Sequence, residues 1–171
     1  SCHFANFELM SMELTKKNIN LATIYRPLNN FFLNPFMEHV RKTYVCRNQI
    51  KKGISGVKQA ISYVQKNFSI ALMIDQRVSE GRKLPFFDYP ALTTTLPSQL
   101  AIKYQLDVVP IYIKRDSNNN FEMEVYEPIK STNNDNTEIN KLSLTLKLNK
   151  IAEQMISKNP GQWIWTHNRW K

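Results

Sequence analysis

Two residues near the start of the chain, His3 and Glu8 in Ser1-Cys2-His3-Phe4-Ala5-Asn6-Phe7-Glu8-Leu9, have the types and spacing for acid–base chemistry. Five positions apart on a continuous helix, at about 100° per residue, they would point roughly 140° away from each other and could not cooperate. The arrangement that joins them puts His3 in the loop before a helix, Asn6 near its N-cap and Glu8 in the first turn, where a negative charge suits the helix dipole. Glu8 then folds back to one ring nitrogen of His3. A carboxylate there fixes the tautomer and leaves the other nitrogen to take a proton from a hydroxyl. No Gly-x-Ser-x-Gly elbow is present and Cys2 adjoins His3 too closely to serve as its nucleophile, so the hydroxyl has to come from another molecule. The plainer alternative is a surface or packing histidine.

The elements that would position this pair follow from hydropathy period. A helix is expected from Asn6 to about Lys17, then a strand over Ile19–Tyr25 that Arg26-Pro27 brings to an end. Leu28, Phe31, Phe32, Phe36 and Val40 recur at helical spacing, with Arg41 and Lys42 at the favourable C-terminal end and Pro35 as a possible kink. A third helix enters through Gly53 and runs over Ile54–Lys66. Ile70–Ile74 is a short apolar run, read as a strand covered on both faces and ending at Asp75-Gln76. Polar residues just past such a strand lie where ligands bind in open α/β sheets, which singles out Asp75; its alternative is to cap the following turn.

Residues 81–90 read as a loop with an apolar patch, Leu84–Phe87, and Thr95–Tyr104 as a helix with Pro97 in its first turn. Strands are expected over Val108–Ile113 and Phe121–Ile129, Asn-rich loops at 117–120 and 133–136, and a long helix over Thr137–Lys158 with Leu144, Leu148, Ile151 and Met155 in one stripe. Strands separated by helices predict an α/β layered fold with a largely parallel sheet flanked by helices.

Composition bounds the function. The 171 residues suit a single domain with a sizeable core, and four glycines with no G-x-G-x-x-G or Walker run argue against a nucleotide loop. Two cysteines and three scattered histidines make neither a disulfide framework nor a zinc knuckle. The net charge of +9 favours polyanionic partners, among them nucleic acid, anionic membrane, phosphorylated lipid and an acidic carrier protein. No run of 18 apolar residues is present. Beginning without Met and directly on the motif, the chain reads as a fragment whose upstream part has been removed.

Taken together the blocks resemble the lipid A biosynthesis acyltransferases, the late lauroyl and myristoyl transferases of the lysophospholipid acyltransferase-like superfamily. The resemblance runs from His3 to Lys171 and rests on His3-x4-Glu8; Tyr25-Arg26-Pro27-Leu28-Asn29-Asn30 followed by Arg41; Asp75-Gln76 with Gly81, Pro85-Phe86-Phe87, Pro90-Ala91 and Thr93–Thr95; Val109-Pro110; and the closing Pro160-Gly161-Gln162-Trp163-x-Trp165-x-His167-x-Arg169-x-Lys171. Ala5 stands where glycine is common in the family's motif. The resemblance implies a single glycerol-phosphate-acyltransferase-like domain over 1–171, lacking an upstream membrane anchor and first elements. It implies transfer of a fatty acyl chain from an acyl carrier protein thioester to a hydroxyl of a Kdo-bearing lipid A precursor. His3 would be the general base and Glu8 its orienter, while Arg26, Arg41, Asp75 and Gln76 would bind substrate. It also implies no cofactor or metal, and a place on the cytoplasmic face of a bacterial inner membrane with its anionic lipids.

Bland readings stand beside these. Arg26 and Arg41 bracket one helix, as ordinary flanking cations or as forks for phosphate. Phe31, Phe32 and Phe36 read as core, or as the wall of an acyl-chain site. The tail with Trp163, Trp165, Trp170, Arg169 and Lys171 reads as an interfacial anchor or as a packed terminal element, His167 as structural, and Leu84–Phe87 as membrane-facing, acyl-facing or tucked under the long helix. Rival functions are an O-acyltransferase with another glycolipid or phospholipid acceptor, and a basic nucleic-acid-binding module that would leave His3, Glu8 and Asp75 unexplained.

Overall fold

The computed structural model describes residues 1–4, 6–131 and 137–171. Ala5 and the expected loop at 133–136 lie outside the described residues. The chain gathers into two compact units, one of Phe7–Leu72 and one of Ser1–Asn6 with Met73–Lys171.

The Phe7–Leu72 unit opens on helix α1 (Glu8–Lys16), with Glu8 in its first turn and Lys16 in its last, each matched to the dipole at its end. Strand β1 (Leu21–Tyr25) follows and stops before Pro27, as the sequence predicts. Helix α2 is shorter than expected, Leu33–Val40, and passes into a π-helical turn over Arg41–Val45. Because α2 begins at Leu33, Pro35 sits in its first turn, where a missing N–H costs nothing. Strand β2 (Asn48–Lys51) has no counterpart among the expected elements. Helix α3 (Ile54–Gln65) is entered through Gly53, whose φ of 132° excludes a side chain. Strand β3 (Ser69–Ala71) completes a parallel sheet in the order β2-β1-β3, with Ala22 opposite Asn48 and Ile70. Leu21, Ala22, Ile50, Ala60 and Val64 form its buried face and helix contacts.

The other unit is built on hairpins. Strands β4 (Arg82–Phe86) and β5 (Tyr89–Thr93) pair antiparallel in a stretch read from sequence as a loop. The turn residues Phe87 and Asp88 both have positive φ, 49° and 62°, the conformation a two-residue hairpin needs. Pro85 and Pro90 stand opposite each other one step from that turn, at a position where the antiparallel ladder asks for no N–H from either. Helix α4 (Leu96–Tyr104) carries Pro97 in its first turn as expected. Strands β6 (Ile111–Arg115) and β7 (Phe121–Val125) form a second hairpin, closed by Asp116, whose Oδ1 accepts from the amides of Asn118 and Asn120. Helix α5 (Thr137–Lys158) buries Leu144, Leu148 and Met155, the expected stripe. Ala101, Ile129, Leu144 and Leu148 form the core here, with Ile74, Ile102, Val108 and Ile151 packed against it. A single 3₁₀ turn, Pro160–Gln162, precedes the tail.

The fold is thus mixed α/β, and its parallel sheet is small. The expectation of a largely parallel sheet is corrected by the later strands: β4 to β7 lie in antiparallel hairpins, because each is joined to its partner by a link of two to five residues, too short for a parallel crossover.

Candidate active site

His3 is fixed by backbone on both sides. Ile74 donates its N–H to the carbonyl of Ser1, Ile164 donates to the carbonyl of His3, and Phe4 bridges Trp163. The first residues of the chain are therefore held between the segment leading to Asp75 and the terminal segment. Asp75 lies in a bend four residues beyond the end of β3, buried to 1% exposure.

Its carboxylate receives three hydrogen bonds. Oδ1 is 2.7 Å from His3 Nδ1, and Oδ2 accepts from the His3 backbone N–H at 2.8 Å and from the indole N–H of Trp163 at 2.7 Å. Burial by itself raises the pKa of Asp75, yet the bond and charge of the His3 ring, the Trp163 donor and the His3 amide outweigh it and hold the carboxyl below its ordinary range. An ionised carboxylate can only accept, so Nδ1 carries a proton and the neutral ring has its lone pair on Nε2. The part expected of Glu8 at Nδ1 is filled by Asp75. Sequence spacing missed this because 72 residues separate His3 from Asp75.

In the Phe7–Leu72 unit Glu8 finds another partner: its Oε1 accepts from Arg41 Nε at 2.6 Å. Arg41 stands at the start of the π-helical turn, its guanidinium 5.5 Å from the centre of the Tyr25 ring, and its Nη1 is buried with no hydrogen-bond partner. Arg26 is exposed just past β1, and Gln76 is half-buried beside Asp75. The six candidate residues thus yield two joined pairs, each inside one unit: His3 with Asp75, and Glu8 with Arg41.

Trp163 and Arg169 belong to the aromatic and basic tail of the chain. The structure buries both, which corrects the interfacial-anchor reading for them, while Trp165 remains exposed. Arg169 Nη1 donates to the carbonyl of Leu92 and Nη2 to Thr93 Oγ1, each at 2.7 Å, with the guanidinium 4.8 Å above the Phe86 ring. Burial lowers its pKa and the charge of Asp75 opposes that. His167 accepts at Nε2 from the Arg77 amide at 2.9 Å. The Leu84–Phe87 patch is tucked under α5, where Asn149 binds the Pro85 carbonyl and Glu153 the Phe87 amide. Cys2, beside His3, is a buried thiol whose pKa is pushed up by burial and by Asp75. Among the described residues no group of three or more His, Cys, Asp or Glu side chains is placed to hold a metal ion, and no helix is long and apolar enough to cross a membrane.

A buried carboxylate hydrogen-bonded to an imidazole is an arrangement that enzymes use to activate a hydroxyl. Comparison with protein families makes the class specific: the family model of bacterial lipid A biosynthesis acyltransferases matches residues 1–171. The chain belongs to that family, and is an acyltransferase of lipid A biosynthesis. A search of curated proteins gave no match.

Proposed function

We propose that this protein moves a fatty acyl chain from an acyl carrier protein thioester to a hydroxyl of a 3-hydroxyacyl chain on a Kdo-bearing lipid A precursor, with His3 as general base. The observation that carries the reading is the contact between His3 Nδ1 and the buried Asp75 carboxylate, at 2.7 Å, in a chain of this family. Nε2 takes the proton of the acceptor hydroxyl as its oxygen attacks the thioester carbonyl carbon. The tetrahedral adduct then collapses, the carbon–sulfur bond breaks, and the departing thiolate takes the proton back from the imidazolium. The thioester is already activated, so the step as proposed draws on no metal or cofactor.

Asp75 orients the base in this scheme. Glu8 holds Arg41, whose buried and unpartnered Nη1 suits an anionic group of the acceptor or of the carrier's prosthetic arm, with Arg26 and Gln76 as further substrate contacts. The net charge of +9 suits lipid phosphates, an acidic carrier and the cytoplasmic face of a bacterial inner membrane. We take residues 1–171 to act as one acyltransferase domain of the layered, glycerol-phosphate-acyltransferase-like kind.

The test is acyl transfer from lauroyl- and myristoyl-carrier protein to the Kdo-modified tetraacyl precursor in mixed micelles, read by mass spectrometry. The expected result is a gain of one acyl group that falls by about 10²-fold or more in His3→Ala and in Asp75→Asn. Equal activity of wild type and His3→Ala would overturn the mechanism. Transfer to other glycolipids or phospholipids alone would reassign the acceptor.

A further inference from the structure

The periodicity of Phe31, Phe32 and Phe36 reads as core, and the structure corrects that reading. These side chains are 83%, 87% and 63% exposed, and Leu33, next to Phe32 in the chain, is also open. Contiguous exposed apolar surface of this kind marks an interaction site.

The patch is not a floppy loop. Asn30 Oδ1 accepts from the amides of Phe32 and Leu33 at 3.0 and 3.1 Å, Asn34 Oδ1 accepts from Leu28 at 2.8 Å, and Phe31 stands edge-to-face on Phe32. The fold therefore spends side-chain hydrogen bonds on presenting phenylalanines outward.

Its charges have one sign. Arg26, Lys42 and Arg47 bracket these residues in the chain and are exposed, and none of them has an ion-pair partner among the described residues. The only acidic residue between 26 and 47 is Glu38, and it is neutralised by Lys51 at 3.0 Å and bonded by Asn34. Aromatic side chains bordered by uncompensated cations match a surface that is apolar beneath an anionic layer, which is the build of a bilayer with acidic headgroups.

We propose that Phe31, Phe32, Leu33 and Phe36 insert into the headgroup–acyl boundary of an anionic bilayer, with Arg26, Lys42 and Arg47 on its headgroup phosphates. This assigns membrane contact to named residues, and it stands or falls without any acyl transfer being measured.

Co-sedimentation of the purified 171-residue chain with phosphatidylethanolamine/phosphatidylglycerol vesicles, and with neutral phosphatidylcholine vesicles, tests it. Binding should be strong only on the anionic vesicles, weaken with salt, and drop about fivefold for each of R26Q, K42Q and R47Q. The triple variant F31S/F32S/F36S should lose binding by about tenfold or more with an unchanged melting curve. A Phe36→Trp variant provides a second readout on a nearly native protein: emission of the added indole should be quenched by brominated phosphatidylglycerol. Absence of binding, binding unchanged in the triple variant, or an unquenched Trp at position 36 would each overturn the proposal. A concentration-dependent dimer abolished by the triple variant, without lipid binding, would make the patch a self-association face instead.

Discussion

Trp163 donates its indole N–H to Oδ2 of Asp75 at 2.7 Å, joining the terminal segment to the carboxylate that holds His3. The bond does two things: it satisfies a lone pair of a carboxylate with 1% exposure, and it limits where that carboxylate can turn. In the proposed mechanism Trp163 is accordingly a positioning residue. Trp163→Phe keeps most of the packing with Phe86 and Trp170 and removes the donor. A hydrogen bond to a charged group is worth about 1.5–3 kcal/mol, so kcat should fall about tenfold with little change in KM. With one donor gone, Asp75 becomes more basic. An unchanged kcat, or a loss carried by KM instead, would reduce Trp163 to packing.

How much of this could be read from sequence differs element by element. The stripe of α5 was legible because a 3.6-residue period over 22 residues has no competing explanation. The β4–β5 hairpin was hidden by Pro85 and Pro90, which argue against strands unless one knows that they face each other at a position needing no N–H. Phe31, Phe32 and Phe36 show that period gives a face but not what covers it. At the site, the end of the apolar run at Ile74 marks Asp75, while its contact with His3 Nδ1 is out of reach of any local spacing. Contacts spanning 72 and 88 residues leave no local pattern.

Arg169 is fully buried and divides its donors between the Leu92 carbonyl and Thr93 Oγ1, tying the tail to β5. A lysine cannot reproduce a planar fork, so Arg169→Lys gives up at least one of these two charge-assisted hydrogen bonds, at about 1–3 kcal/mol. For a chain of this length that corresponds to a fall in Tm of about 2–12 °C. Near-UV circular dichroism of the Trp163, Trp165 and Trp170 cluster should weaken in parallel. An unchanged Tm would mean that the tail is not anchored through this side chain.

Glu38 is the acid whose titration should be visible in stability. Hydrogen bonds from Lys51, Asn34 and Tyr25 hold its pKa at about 2, against an ordinary 4.5. The folded value lies below the unfolded one, so its contribution is fully present above about pH 4.5 and is lost as pH falls towards about 2. Glu38→Gln should therefore be less stable than wild type in urea at pH 7, and the two curves should converge between those limits. A difference that persists unchanged at pH 2 would assign the loss to geometry and not to charge.

Substitutions in the Glu8–Arg41 pair test folding and the proposed substrate binding separately. Arg41 is largely buried, with its side chain 13% exposed, whereas Glu8 is open by about a third at 34%, so solvent screens the pair and its net worth is about 1–3 kcal/mol. Arg41→Met should lower Tm by about 2–12 °C and abolish activity, because Glu8 loses its partner and the unpartnered Nη1 is gone. Arg41→Lys keeps the charge as a point on a flexible stem and loses the fork. It should fold with a smaller loss of Tm and raise KM for the phosphorylated acceptor about tenfold, with kcat less affected. Should Arg41→Lys instead lower kcat at unchanged KM, Arg41 would act on the reacting atoms, and its assignment to substrate binding would be withdrawn.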